Sequence, residues 1–162
     1  MREIKFRGKK IDSNEWIFGW LRQSGHQEIQ KANGQYIRTE KYYQIQNNKY
    51  HFEFVTEETI GQYTGLKDKK RKEIYEGDIV KGLFNDPEEP EIIGIVRYDD
   101  CKASYMVVSK NGSEWELGCL DELEVIGNIH DNPELLEVRW ARKKIEAILD
   151  LDIVLYVHQQ QF

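Results

Sequence analysis

The stretch Ile60-Gly61-Gln62-Tyr63-Thr64-Gly65-Leu66-Lys67-Asp68, followed by Glu73-Ile74-Tyr75-Glu76-Gly77-Asp78-Ile79-Val80, constrains the fold more than any other part of the chain. Two runs of apolar and β-branched residues are separated by Lys69-Lys70-Arg71-Lys72, and Gly77 stands directly before Asp-Ile-Val. A glycine so placed reads as a tight turn feeding a strand, because only glycine enters positive-φ backbone without steric cost. The stretch speaks of short strands and sharp turns, and carries no catalytic constellation.

The same rhythm runs along most of the chain. Glu3–Lys10 and Trp16–Leu21 alternate as two strands, with Asp12-Ser13-Asn14-Glu15 as the turn. Every second side chain of a strand points the same way, so Phe6, Trp16, Phe18 and Trp20 are expected on one aromatic face. Gln27–Ala32 and Gln35–Thr39 flank Asn33-Gly34, a pair that favours a two-residue type I′ hairpin turn. Tyr42–Gln46 and Tyr50–Val55 form a further pair around Asn47-Asn48. Residues 1–58 therefore read as an N-terminal antiparallel β meander. Thr59–Tyr63 is a short strand or a linker. Five strands follow at Asp78–Phe84, Ile92–Tyr98, Ser104–Ser109, Glu114–Leu117 and Leu123–Ile129, with turn residues between them. Short strands with this spacing fit an SH3-like β-roll or barrel, assigned to residues 59–132.

Residues 133–162 read as a C-terminal helix and an apolar tail. Asn132 and Pro133 suit a helix N-cap and first position. Leu135, Leu136, Trp140, Ala141, Ile145, Ile148 and Leu149 then recur at helical spacing. The final Ile153-Val154-Leu155-Tyr156-Val157 is nearly all apolar and is expected to pack on its own barrel or on another copy of the chain. Trp140, Ile145, Ile148, Leu149, Ile153 and Leu155 are the residues expected to support self-association.

At 162 residues, 32% charged and 40% apolar, the chain suits one compact domain or two small ones. No apolar run approaches the roughly 20 residues needed to span a bilayer, and Met1-Arg2-Glu3-Ile4-Lys5 is not followed by a signal-like apolar stretch. A cytoplasmic location without membrane partners is the expectation. Cys101 and Cys119, the two cysteines, are expected to be reduced, with Cys119 in the core. Net charge is −6, divided unevenly: residues 1–81 carry +4 and residues 82–162 carry −10. Opposite halves of this kind can complement one another within or between chains.

The chemistry-bearing residues form no catalytic set. His26, His51, His130 and His158 are scattered, without the paired spacing of a zinc site. There is no Gly-x-Ser-x-Gly elbow, and Asp99 and Asp100 would raise rather than lower the thiol pKa of Cys101. Asp86, Glu88, Glu89 and Glu91 cluster in a loop broken by two prolines and read as solvated. Asp78 is expected to hold the turn at Gly77 by hydrogen bonds to backbone. No phosphate loop is present. A non-enzymatic protein without cofactor or metal is the expectation. The strongest recognition signal is basic: Lys5, Arg7 and Lys9 in the first strand, and Lys67, Lys69, Lys70, Arg71 and Lys72 in one turn, interleaved with aromatics. Such a pattern suits single-stranded nucleic acid, and equally a solvated loop tip beside a buried aromatic core.

Three blocks also resemble a known signature. They are Ile4-Lys5-Phe6-Arg7-Gly8-Lys9 with Trp16-Ile17-Phe18-Gly19-Trp20, then Gly61–Val80, then Val125-Ile126-Gly127-Asn128-Ile129-His130-Asp131-Asn132-Pro133-Glu134-Leu135-Leu136. Together they resemble the YopX-like family, small proteins encoded largely by bacteriophages and prophages. The resemblance implies a β-rich fold with an SH3-like roll and implies no activity. Related sequences often carry Asn-Gly at the tip of the middle turn, where Lys70-Arg71 stand here. The expected function is a non-enzymatic, self-associating binding module with an unknown protein partner; a nucleic-acid binder is the alternative.

Overall fold

The computed structural model describes residues 3–24, 27–30, 33–39, 42–47, 51–84 and 91–136. The chain is mainly β, in two principal antiparallel sheets and one separate hairpin. The strands are β1 (Phe6–Lys9), β2 (Trp16–Ser24), β3 (Gln27–Gln30), β4 (Tyr36–Thr39), β5 (Tyr42–Gln46), β6 (Phe52–Val55), β7 (Gly61–Lys67), β8 (Glu73–Tyr75), β9 (Asp78–Leu83), β10 (Ile92–Asp99), β11 (Ser104–Val108), β12 (Glu114–Glu116) and β13 (Asp121–Asn128).

The first sheet has the order β6-β5-β2-β1-β7-β8. Its β1–β2 hairpin turns where the sequence predicts, with Asn14 at φ 59° and the Asp12 carboxylate accepting the Ser13 amide. Beyond β1, Lys10 bridges to Val55 and Ile11 donates to the Phe54 carbonyl, so β6 curls back towards the start of the sheet. That curl encloses Ile17, Ile45 and Val55, all buried, with Phe6, Leu21, Tyr43 and Ile60 packed around them. Phe6 thus faces this core. It pairs with Gly19, whereas Trp16 and Phe18 pair with Lys9 and Arg7. The expected face of four aromatics therefore loses Phe6, because residues directly opposite in an antiparallel pair share a side.

The hairpin of β3 and β4 pairs Gln30 with Tyr36, a wider connection than a two-residue turn. Gly34 has φ 82°, but the Asn33 side chain takes the Gln35 amide that a tight turn would give to the partner strand. Of Thr59–Tyr63, Thr59 closes a 3-10 turn (Glu57–Thr59) and the strand begins at Gly61: β7 runs from Gly61 to Lys67, pairs with β1, and receives β8 on its other side.

The second sheet has the order β12-β11-β10-β9-β13, with a single 3-10 turn at Leu117–Cys119 between β12 and β13. Its five strands match the expected segments closely, and β12 and β13 are its edges. The core is Val80, Ile92, Val96, Tyr105, Val107, Leu117, Leu120 and Leu123, joined by Ile74 from the first sheet. Each such side chain contributes about 1.5–3 kcal/mol by leaving water. Cys119 lies outside this core. Both cysteines are exposed, because the 3-10 turn directs Leu117 inwards and leaves Cys119 at the surface.

The two sheets are joined covalently at Gly77 and laterally at the tip of the β7–β8 hairpin. Gly77 has φ 79°, donates to the Val96 carbonyl and accepts from Ile129, so the chain turns between sheets there at no steric cost. At the hairpin tip the Asp68 carboxylate accepts the Lys70, Lys72 and Val125 amides, while Lys69 donates to the Leu123 carbonyl. Residues 134–136 begin a helical turn. The remainder of the expected C-terminal helix and tail lies outside the described residues.

Candidate functional site

Among the described residues, one face of the first sheet carries the cation–aromatic contacts of Lys5, Arg7, Lys9 and Arg22, and it divides into two halves. The covered half begins with Arg7 on β1, a strand flanked on both sides by other strands. Its guanidinium lies 4.7 Å from the Trp16 ring centre and 5.2 Å from that of Tyr75. Nη1 donates to Asp78 Oδ1 at 2.6 Å, and Nη2 donates to the Glu76 carbonyl at 2.9 Å. The Tyr75 amide donates to the other Asp78 oxygen at 2.8 Å. Both charged side chains are buried, at 7% and 2% exposure, and the Arg7 Nε has no hydrogen-bond partner. Burial pushes the Asp78 carboxyl above the usual aspartate range, against the pull of Arg7 and the Tyr75 amide. The expectation that Asp78 holds the Gly77 turn is met, and it also ties that turn to β1. Gly61 permits the close approach: a Cβ there would stand 2.5 Å from the Glu76 carbonyl oxygen.

A second cluster sits beside the first. The Trp16 indole donates to Asp131 at 2.7 Å, Asn128 donates to the same oxygen at 2.8 Å, and Lys9 pairs with the other. Burial opposes ionisation of Asp131, yet these donors outweigh it and hold the carboxyl well below the usual range. The His130 ring packs 5.8 Å from Trp16. Burial, then the charges of Arg7 and Lys9, lower its pKa. Glu58, Glu76, Arg97, Tyr98 and His130 line a shallow cleft of about 300 Å³ at this joint. Asp78, Asp131 and Glu76 are each matched to a cation or a donor, which suits them to holding two sheets together.

The other half of the face is bare. Trp20 on β2, Gln46 on β5 and Phe52 on β6 lie directly across from one another in one row. Phe18 stands two residues before Trp20 on the same side of β2, and Arg22 two residues after it. Trp20 is 69% exposed, and Phe18 and Phe52 are each 42% exposed. The Arg22 guanidinium lies 5.6 Å from the Phe52 ring centre. Phe52 and Arg22 were not singled out by the sequence pattern. The register across the Asn47-Asn48 turn is the signal that aligns Phe52 with Trp20.

The eight basic candidates are divided by the structure. Arg7 and Lys9 are buried in the joint, at 6% and 8% exposure. Lys5 pairs with Glu73 at 2.7 Å. Lys69 and Lys70 both pair with Glu124, whose pKa they hold down at about 2. Lys67 lies opposite Glu73 in the β7–β8 register. Lys67, Arg71 and Lys72 are exposed, and Arg71 takes the left-handed conformation at φ 65°. Trp140, Ile145, Ile148, Leu149, Ile153 and Leu155 lie outside the described residues, as do His26, His158, Asp86, Glu88 and Glu89. Glu91 pairs with Lys81. Among the described residues no three His, Cys, Asp or Glu side chains converge to hold a metal ion, and no helix is long and apolar enough to cross a membrane.

No curated protein matches the chain. Among solved structures it is similar to protein EF1440 from Enterococcus faecalis, at 25% identity over 84% of this chain and 99% of the other, with a TM-score of 0.42. It is also similar to protein yopX from Bacillus subtilis, at 20% identity over 84% of this chain and 97% of the other, with a TM-score of 0.46. The model of the family described as YopX protein matches residues 5–137, most of the chain, so this protein belongs to the YopX family.

Proposed function

We propose that this chain is a non-enzymatic interaction module of phage or prophage origin that self-associates in the bacterial cytoplasm. One observation carries the reading. The ionisable groups of the joint are engaged with one another, whereas the aromatics Phe18, Trp20 and Phe52 are presented to solvent in one patch. Adjacent large apolar side chains on a surface mark a contact site, because covering them recovers the free energy lost to water. The second sheet is read as an SH3-like roll. In support, β9 pairs with both β10 and β13, and a 3-10 turn precedes the last strand. Size-exclusion chromatography with light scattering tests the assembly: the expected result is a mass of at least two chains, and a strict monomer across concentrations overturns it.

A second reading, nucleic-acid binding, is supported by the exposed cations of the β7–β8 tip, which Asp68 presents on a well-bonded turn. Fluorescence anisotropy with single- and double-stranded oligonucleotides at two salt concentrations tests it. Binding that weakens as salt rises supports the reading, and no signal at low salt ends it.

A further inference from the structure

We infer that the bare half of the first sheet is a stacking platform for single-stranded nucleic acid, with bases laid on Phe18, Trp20 and Phe52 and phosphates met by the cations beside them. The inference rests on the second reading above and deepens it. It names a surface other than the β7–β8 tip as the seat of the bases, and leaves self-association to another part of the molecule.

Charge selects the occupant. Directly opposite residues of an antiparallel pair share a side, so the registers put the odd-numbered residues of β1 and the even-numbered residues of β2, β5 and β6 on this face. None of them is acidic. Glu53 of β6 falls opposite Ile45, on the other side of the sheet. The aromatics are flanked by cations instead: Lys5 Nζ lies 5.9 Å from the Phe18 ring centre, and the Arg22 guanidinium 5.6 Å from that of Phe52. Among the described residues no acid pairs with Arg22. Glu73 of β8 is engaged by Lys5 at 2.7 Å and by the Tyr75 hydroxyl at 2.6 Å, and the charge of Glu3 falls on Tyr63 and Tyr75. An uncharged apolar partner would cover Arg22 without a counter-charge. A second copy laid on this face about a twofold axis would set like cations against each other. A polyanion that carries flat rings answers both the cations and the aromatics.

Spacing selects the form. Trp20 and Phe52 stand two strands apart, about 10 Å, and Phe18 stands two residues along β2 from Trp20, about 7 Å. Both spans exceed the step of about 3.4 Å between bases along one strand of a duplex. Bases seated at the wider spacing are unstacked from one another and present the ring faces that a duplex hides. Gln46 lies directly across from both Trp20 and Phe52, where its amide can donate to and accept from a base edge.

The platform is also continuous with the basic tip. Lys67 lies opposite Glu73, and Glu73 pairs with Lys5, so the same side of the sheet leads from Phe18 towards the exposed cations of the β7–β8 turn. A strand that reaches both gains its stacking on the row and much of its salt dependence at the tip.

The test is fluorescence anisotropy of the full chain with a labelled single strand of mixed sequence and with its duplex, at low and raised salt. The expected result is a dissociation constant for the single strand about tenfold or more below that for the duplex. Trp20→Ala should weaken single-strand binding about tenfold, and Trp20→Phe, which keeps a ring, should weaken it less. Binding should quench the tryptophan emission of the unsubstituted protein and leave that of Trp20→Phe almost unchanged. Trp20 is exposed, so both variants keep the fold, and circular dichroism checks it. Single-strand binding that ignores Trp20→Ala but is lost in the double variant Arg71→Gln with Lys72→Gln places the site at the tip; it overturns this inference and leaves the nucleic-acid reading intact. No binding at low salt overturns both. Loss of assembly in Trp20→Ala with oligonucleotide binding unchanged assigns the face to a second copy and overturns the inference.

Discussion

The covered and bare halves of one sheet face use the same kinds of side chain to opposite ends. In the covered half, Arg7 and Lys9 lie over Trp16 and Tyr75, and in the bare half Arg22 lies over Phe52 beside Trp20. The difference is the presence of acids. Asp78 and Asp131 arrive from strands of the other sheet or just beyond them and pair with the cations. No described residue does the same for the bare half. The same surface chemistry therefore becomes a joint where a carboxylate meets it and an exposed aromatic row where none does.

The largest way to break that contrast is to remove one partner of the buried pair. Arg7→Met leaves Asp78 buried without its counter-charge, and a loss of about 3–5 kcal/mol in denaturant unfolding is expected. The double variant Arg7→Met with Asp78→Leu should recover most of that loss, since replacing a whole buried pair is often close to neutral. A full loss in the double variant would show that the Tyr75 and Glu76 backbone contacts, and not the charge pair, hold the joint. Next in size is Trp16→Phe. It keeps a ring under Arg7 but removes the indole donor to Asp131, and about 1–2 kcal/mol should be lost in the same measurement.

The joint should also weaken in acid, and the bare half should not. The folded pKa of His130 is lowered by burial and by Arg7 and Lys9, so the unfolded chain binds the proton more readily. Stability is then fully present above the unfolded value near 6.5 and falls as pH drops below it, with a slope of at most about 1.4 kcal/mol per pH unit for one proton. The depressed Asp131 adds a second fall below about pH 4, again because the unfolded form takes up the proton first. Unfolding curves between pH 8 and pH 5 check the first phase: His130→Gln should flatten it, and an unchanged slope would assign it to another group. The smallest effect belongs to the bare half. At concentrations low enough for separate chains, Trp20→Ser should shift unfolding by no more than about 0.5 kcal/mol, as exposed substitutions do.

Legibility in the sequence followed the range of the interactions. Strand positions from β9 to β13 were readable because apolar alternation and the turns at Asn111-Gly112 and Asp99-Asp100 are local signals. The side on which Phe6 falls was not, because it depends on the register with Gly19. Asp78 was readable as a turn residue, since the Tyr75 amide is three positions away, but its bond to Arg7 spans 71 positions. The basic candidates were misleading in part for the same reason: β-strand alternation cannot reveal that Arg7 and Lys9 face two carboxylates brought by another sheet.

Local pattern alone thus determined a β-rich chain of short strands, the positions of its sharp turns, and family membership through its three blocks. Tertiary structure alone decided that β7 and β8 pair beside β1, that two basic side chains of β1 are buried, and that Trp20 and Phe52 stand in one exposed row. The physical reason is that strand propensity and turn geometry act over a few residues, while charge burial and face selection are settled by partners such as Trp16 and Asp131, 115 positions apart.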